Sequence, residues 1–205
     1  MQNRIKPRKI PKQARSRKTR EEILEATAHL LNGHALEEVS TNHIARKTGI
    51  SIGTLYKYYP NKDSILVDLS RMYMQKDAEL VAGIFDKHQR HSLNDMLDEL
   101  VDALMEIHKQ DARVRGVVYQ NLERLKLVTE AQNTRHQIQA KGSKMFPSME
   151  PGLTWVTLTA ISSIVFTMSQ LQSQHRDWAF ARNLCRHALG LLMATGNSID
   201  IHDVR

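Results

Sequence analysis

Hydroxyls, phenols and cations crowd into one short stretch of the chain, residues 40–59, STNHIARKTGISIGTLYKYY. Ile44, Ala45, Ile50 and Leu55 have the spacing of a small buried face. That leaves Ser51, Ile52, Gly53, Thr54, Tyr56, Lys57 and Tyr58 as an exposed surface. Short hydrogen-bonding groups, a cation and a glycine that permits close approach suit the edges and phosphates of a B-DNA major groove, whose base pairs are distinguishable there. Lys62 adds a second clue. A cation in the first turn of a helix opposes the helix dipole, and Asp63 only partly offsets it. A phosphate bound at that turn would be held by Lys62 and by the free backbone N–H groups together. Catalytic chemistry has no comparable support. The chain has no visible nucleophile–base pairing and no phosphate-binding loop, and its ten histidines lack HxH or HExxH ligand spacing. No metal or other cofactor is expected.

The residues that would touch DNA need short, well-stopped helices to hold them. Ser40 or Thr41 can cap a helix over 41–48, and Gly49 can take the left-handed conformation that closes it. Ser51 can cap a second helix reaching about Tyr58, and Pro60 stops that one. Two short helices around a glycine turn are the helix-turn-helix pattern. Ahead of them, Ile23, Ala26, Leu30 and Leu31 predict a helix over 16–32. Behind them, Asn61 can cap a helix carrying Ile65, Leu66, Leu69, Met72 and Tyr73 into the 80s.

Within this frame the run Thr41-x-x-Ile44-Ala45-x-x-x-Gly49-Ile50-Ser51-x-Gly53-Thr54-Leu55-Tyr56-x-Tyr58-Tyr59-x-Asn61-Lys62-Asp63-x-Ile65-Leu66 closely resembles the TetR family of bacterial transcriptional regulators. The preceding RKTREEILEATAHLL matches that family's first helix, and the likeness covers roughly residues 15–70. The resemblance implies an all-α fold, with three N-terminal helices for DNA and a larger C-terminal helical domain for dimerisation and ligand binding. It implies phosphate contacts from Thr41, Arg15 and Arg17. It sets Ile52, Gly53, Thr54 and Lys57 toward bases, and Tyr56, Tyr58 and Lys62 toward the DNA backbone. Ile52 is apolar, so its direct readout is limited to a thymine methyl. The implied activity is that of a repressor, released from a palindromic double-stranded operator by a small-molecule effector. In a variant of this scheme the C-terminal domain answers to a protein partner.

Charge and composition agree with a DNA-binding head. Residues 1–70 carry a net charge of +6 of the chain's +7, and residues 1–20 hold nine basic side chains and no acidic one. With Pro7 and Pro11 among them, residues 1–14 read as a flexible basic arm for a polyanion, either nucleic acid or an anionic membrane. Residues 15–70 read as the DNA-binding domain and 71–205 as the dimerisation and effector domain. Hydrophobic content of 41% and sparse Gly and Pro predict a packed helical core. The single cysteine, Cys185, leaves no disulfide framework within the chain and fits a reducing cytoplasm.

Four or five further helices are expected. Leu93, Met96, Leu97, Leu100, Val101, Leu104 and Met105 form one stripe, capped by Ser92. Val114, Val117, Val118, Leu122, Leu125 and Val128 form another starting at Asp111, while residues 129–146 are too polar to place. Residues 151–175 contain no Asp, Glu, Lys or Arg, but their many Thr, Ser and Gln side chains favour a buried helix over a membrane span. Helices over about 150–173 and 177–195 are expected to form the homodimer interface. Met96, Met105, His108, Tyr119 and Trp155 are candidates to line a pocket for a small apolar effector, although a Met or aromatic stripe is more often plain core.

Overall fold

The computed structural model describes residues 14–88, 93–145, 159–160, 163–164, 167–168 and 177–196. The basic residues ahead of Ala14, the Ser92 cap, Trp155 and most of the helix expected over 150–173 lie outside them. The described residues are all-helical, without strands. The helices are α1 (Ala14–Gly33), α2 (Thr41–Thr48), α3 (Ile52–Tyr58), α4 (Lys62–Lys87), α5 (Leu93–Gln110), α6 (Ala112–Gln120), α7 (Val128–Met145) and α8 (Trp178–Gly196). Residues 159–160, 163–164 and 167–168 are helical as well.

The chain forms two compact units. The first comprises the described residues up to Gln75, together with Arg113–Ala131. Its core brings Ile23, Leu24 and Leu31 of α1 together with Ile44, Leu55, Tyr59, Ile65, Leu66 and Leu69. Val114 and Val118 of α6, with Leu125 and Leu127 beyond it, complete that core. Polar links reinforce the same attachment: the buried Arg115 guanidinium lies 4.8 Å from the Tyr73 ring centroid. Arg71 pairs with Glu130 at 2.7 Å, and Arg124 with Asp63 at 2.8 Å.

The helical stripe expected from Asp111 to Val128 is interrupted. α6 ends at Gln120, and Lys126 adopts a left-handed φ of 59°. Asn121 explains the break, because its side-chain amide donates to the Val117 carbonyl at 2.7 Å and offers the backbone an alternative to continuing the helix. Leu122, Leu125 and Leu127 still reach the core, from turns.

The second unit comprises Lys76–Ala112 and the described residues from Gln132 onward. Its core joins Val81, Ile84 and Phe85 of α4 to Met96, Leu100, Val101, Leu104 and Met105 of α5, and to Ala181 and Cys185 of α8. Ile164 and Met168 pack against this cluster. Charge pairs tie α8 along α5: Arg182 grips Asp102, and Arg186 bonds Asp98 at 2.6 Å. The stretch too polar to place becomes α7. Its side chains are mostly exposed, with Ile138 reaching the core and Lys141 bonded to Asp86 at 2.7 Å. A helix polar on nearly every side leaves no apolar period to read.

Candidate nucleic-acid interface

Each short helix of the helix-turn-helix is built by its own end groups. The Ser40 hydroxyl accepts the His43 N–H at 3.2 Å and starts α2. Gly49, at φ 74°, ends it in the left-handed region that favours glycine, with its N–H on the Arg46 carbonyl. Two residues later the Ser51 hydroxyl accepts the Thr54 N–H at 3.1 Å and starts α3. Such caps contribute about 1 kcal/mol each. Asn61 and Ser64 cap α4 reciprocally: Asn61 Oδ1 accepts the Ser64 N–H at 2.8 Å, and the Asn61 N–H reaches Ser64 Oγ at 3.3 Å.

α3 is anchored from one side only. Leu55 is its buried residue and, with Ile44 and Ala45 of α2, fixes the pair to the core. Burying one leucine contributes about 1.5–3 kcal/mol. Ser51, Gly53 and Lys57 are exposed, Ile52 is 37% and Tyr56 42% exposed, and Thr54 is half-buried. A Cβ built on Gly53 meets only Ser51 Oγ, at 3.9 Å, so packing within the chain does not demand glycine there. The Thr41 and Tyr56 hydroxyls are hydrogen-bonded at 3.2 Å, joining the start of α2 to the exposed face of α3. Arg15 and Arg17 are exposed on the first turns of α1.

Two more candidate DNA-contacting residues have additional work within the chain. Tyr58 is half-buried against the core. Lys62 is half-buried, and its Nζ donates to the Leu36 carbonyl at 2.7 Å, tying α4 to the loop between α1 and α2.

A buried group beneath α3 escaped the sequence reading. Tyr59, the C-cap of α3, has an extended backbone at φ −131° and ψ 120°, so its side chain drops into the core and is fully buried. Its hydroxyl donates to Asp68 Oδ2 at 2.5 Å. Arg20 of α1 grips both oxygens of the same carboxylate. Burial, reinforced by the Asp68 charge, pushes the Tyr59 phenol above its ordinary range, so the hydroxyl stays a donor. The hydrogen bond to Asp68 raises Arg20 further above its already high value. Arg20, Tyr59 and Asp68 lie 39 and 9 residues apart in sequence, with no periodic signal linking them.

Of the pocket candidates, Met96, Met105 and His108 are buried in the second unit. The His108 ring nitrogen Nδ1 bonds the Leu104 carbonyl at 2.8 Å. Tyr119 is half-buried and belongs to the first unit. Cys185 is buried, and desolvation pushes its thiol up to about 11.

α8, which covers the last helix expected at the homodimer interface, has two apolar faces. Ala181 and Cys185 enter the core, whereas Leu184 is 43% exposed. Phe180 is 58% exposed beside it, four residues earlier.

A family model for bacterial regulatory proteins of the tetR family matches residues 23–69, and a model for the tetracyclin repressor-like C-terminal domain matches residues 92–188. The chain belongs to the TetR family. Among curated TetR-type relatives, the regulator PksA of Bacillus subtilis is 29% identical over 75 residues, 37% of each chain. The repressor KstR of Mycobacterium tuberculosis is 33% identical over 72 residues, 33% of each chain. The matched stretch thus spans little more than a third of these relatives' length. A putative TetR-family regulator from Mesorhizobium loti superposes with a TM-score of 0.68 at 14% identity, over 89% of this chain and 98% of that one. The multidrug binding protein EbrR, solved with malachite green, superposes with a TM-score of 0.62 at 15% identity, over 82% and 96%. At such identities the TetR fold itself is what is shared. No helix among the described residues is long and apolar enough to cross a membrane.

Proposed function

We propose that the protein is a cytoplasmic, sequence-specific DNA-binding transcriptional repressor that acts as a homodimer on a palindromic operator and is released by a small-molecule effector. One observation carries the DNA-binding reading: within α3 only Leu55 is fully buried, while its glycine, ammonium and the Tyr56 phenol are exposed. In this reading Ile52, Gly53, Thr54 and Lys57 meet base edges. Ser51, Tyr56 and Tyr58 flank them, and Thr41, Lys62, Arg15 and Arg17 hold phosphates. Gly53 leaves space where a DNA backbone or base would approach, since the chain does not fill it.

The exposed Phe180 and Leu184 on α8 support dimerisation through this helix. Two recognition helices would then address half-sites about 34–36 Å apart, one turn of DNA. The apolar second unit, with Met96, Met105 and His108 buried in it, is the part suited to an apolar effector. EbrR, bound to an organic dye, is a fold-level precedent for that use. An effector that prefers a dimer of different half-site spacing would lower operator affinity. Native mass spectrometry with DNA footprinting tests the scheme. A dimer with two-fold symmetric protection is expected; a monomer, or protection without symmetry, overturns it.

A further inference from the structure

α3 has seven residues, too few to hold its own shape or angle without tertiary anchors. Leu55 supplies an apolar contact, which resists withdrawal but has little directional preference. The last residue of the unit supplies the opposite. Tyr59 leaves the helix in extended geometry and delivers its hydroxyl to Asp68, on the second turn of α4. Asp68 is 2% exposed and takes two further N–H donors from Arg20 of α1. Hydrogen bonds to a charged acceptor are strongly directional and about twice as strong as neutral ones. A buried ion pair is weak evidence for stability, because desolvation offsets its attraction; fixing one arrangement is a better-supported use.

We infer that Tyr59, through Asp68 and Arg20, is a positioning residue that sets the angle at which α3 enters the groove, and hence the protein's sequence discrimination, without touching DNA. This deepens the DNA-binding reading and rests on it. Phosphate contacts tolerate small rotations of a helix because charge attraction is broad, whereas paired hydrogen bonds to base edges do not. A loosened α3 should therefore keep its general grip on DNA and lose its preference.

The test uses the full-length protein and a duplex that it enriches from a randomised library, beside a shuffled duplex. Tyr59→Phe keeps the buried ring and removes only the hydroxyl. Expected is a fall of about tenfold in affinity for the enriched duplex, with the shuffled duplex and the salt slope unchanged. Faster hydrogen exchange of the α3 amides in the free protein should accompany it. Arg20→Lys, which leaves a cation on Asp68, should lose less discrimination than Tyr59→Phe. Unchanged discrimination in Tyr59→Phe, or a parallel loss on both duplexes, would overturn the positioning role. A wild-type protein that enriches no duplex would instead overturn the DNA-binding reading itself.

Discussion

The Lys62 ammonium donates to the Leu36 carbonyl at 2.7 Å, so a side chain suited to a phosphate also clamps the start of α4 to the loop after α1. That contact uses one of the three ammonium N–H bonds and leaves two for another acceptor. Lys62→Ala should weaken binding to every duplex alike and lower the salt slope by about 1, with a stability loss of about 1 kcal/mol. Binding titrations across a salt series, beside thermal melts, separate the two roles. An unchanged slope with a lowered melting temperature would leave Lys62 as a clamp only.

Thr54 and Lys57 should behave differently from Lys62. Lys57 is exposed on α3 and Thr54 is half-buried beside the Ser51 cap. Thr54→Ala and Lys57→Ala are each expected to shift the preferred sequence at particular positions of a half-site by about 1–3 kcal/mol per base pair. Selection from a randomised library, repeated with each variant, reads this directly. Uniform weakening with the same preferred sequence would remove them from the base-reading set.

Phe180 and Leu184 set up a test of assembly. A charge at an exposed position leaves the monomer fold intact but opposes burial against a second chain. Leu184→Glu should convert dimer to monomer in sedimentation velocity, with the helical circular dichroism retained. Binding to a two-half-site duplex should fall together with the dimer. A variant that sediments like the wild type would move the interface off this face.

Arg71 and Glu130 predict a modest acid sensitivity in the first unit. The Arg71 hydrogen bonds hold the Glu130 carboxyl below its usual value of 4.5, and that group is depressed in the folded state relative to the unfolded chain. Its contribution is therefore present above about pH 4.5 and is lost as pH falls through the folded value. Both side chains are substantially exposed, so solvent screening limits the effect to about 1 kcal/mol or less. Glu130→Gln should lower stability by about 1 kcal/mol or less at neutral pH and change little at the acid end, so that the profile flattens, as followed by urea denaturation.

The helix-turn-helix was the most legible part of the sequence because its determinants are local. Ser40, Gly49, Ser51 and Asn61 act on backbone groups within a few residues of themselves, and the structure puts each at the terminus its type indicates. Long-range determinants left no such trace. Asp68 looks like an ordinary polar residue of an amphipathic helix until Arg20 and Tyr59 are brought onto it. The break at Gln120 depends on Asn121 bonding backward, which a continuous stripe of valines and leucines conceals. α7 escaped for the opposite reason, since it carries almost no stripe. On α8, apolar spacing by itself does not divide the residues between the chain's own core and an outward face, because both Ala181/Cys185 and Phe180/Leu184 are apolar.

The hydroxyl caps at Ser40 and Ser51 have a kinetic corollary. Both short helices are wound and terminated before any duplex arrives. An encounter with DNA then requires no disorder-to-order step in the reading element, and little ordering entropy is charged to the bound state. The search for an operator should accordingly proceed at the pace of diffusion along the polyanion, with refolding absent from its rate law.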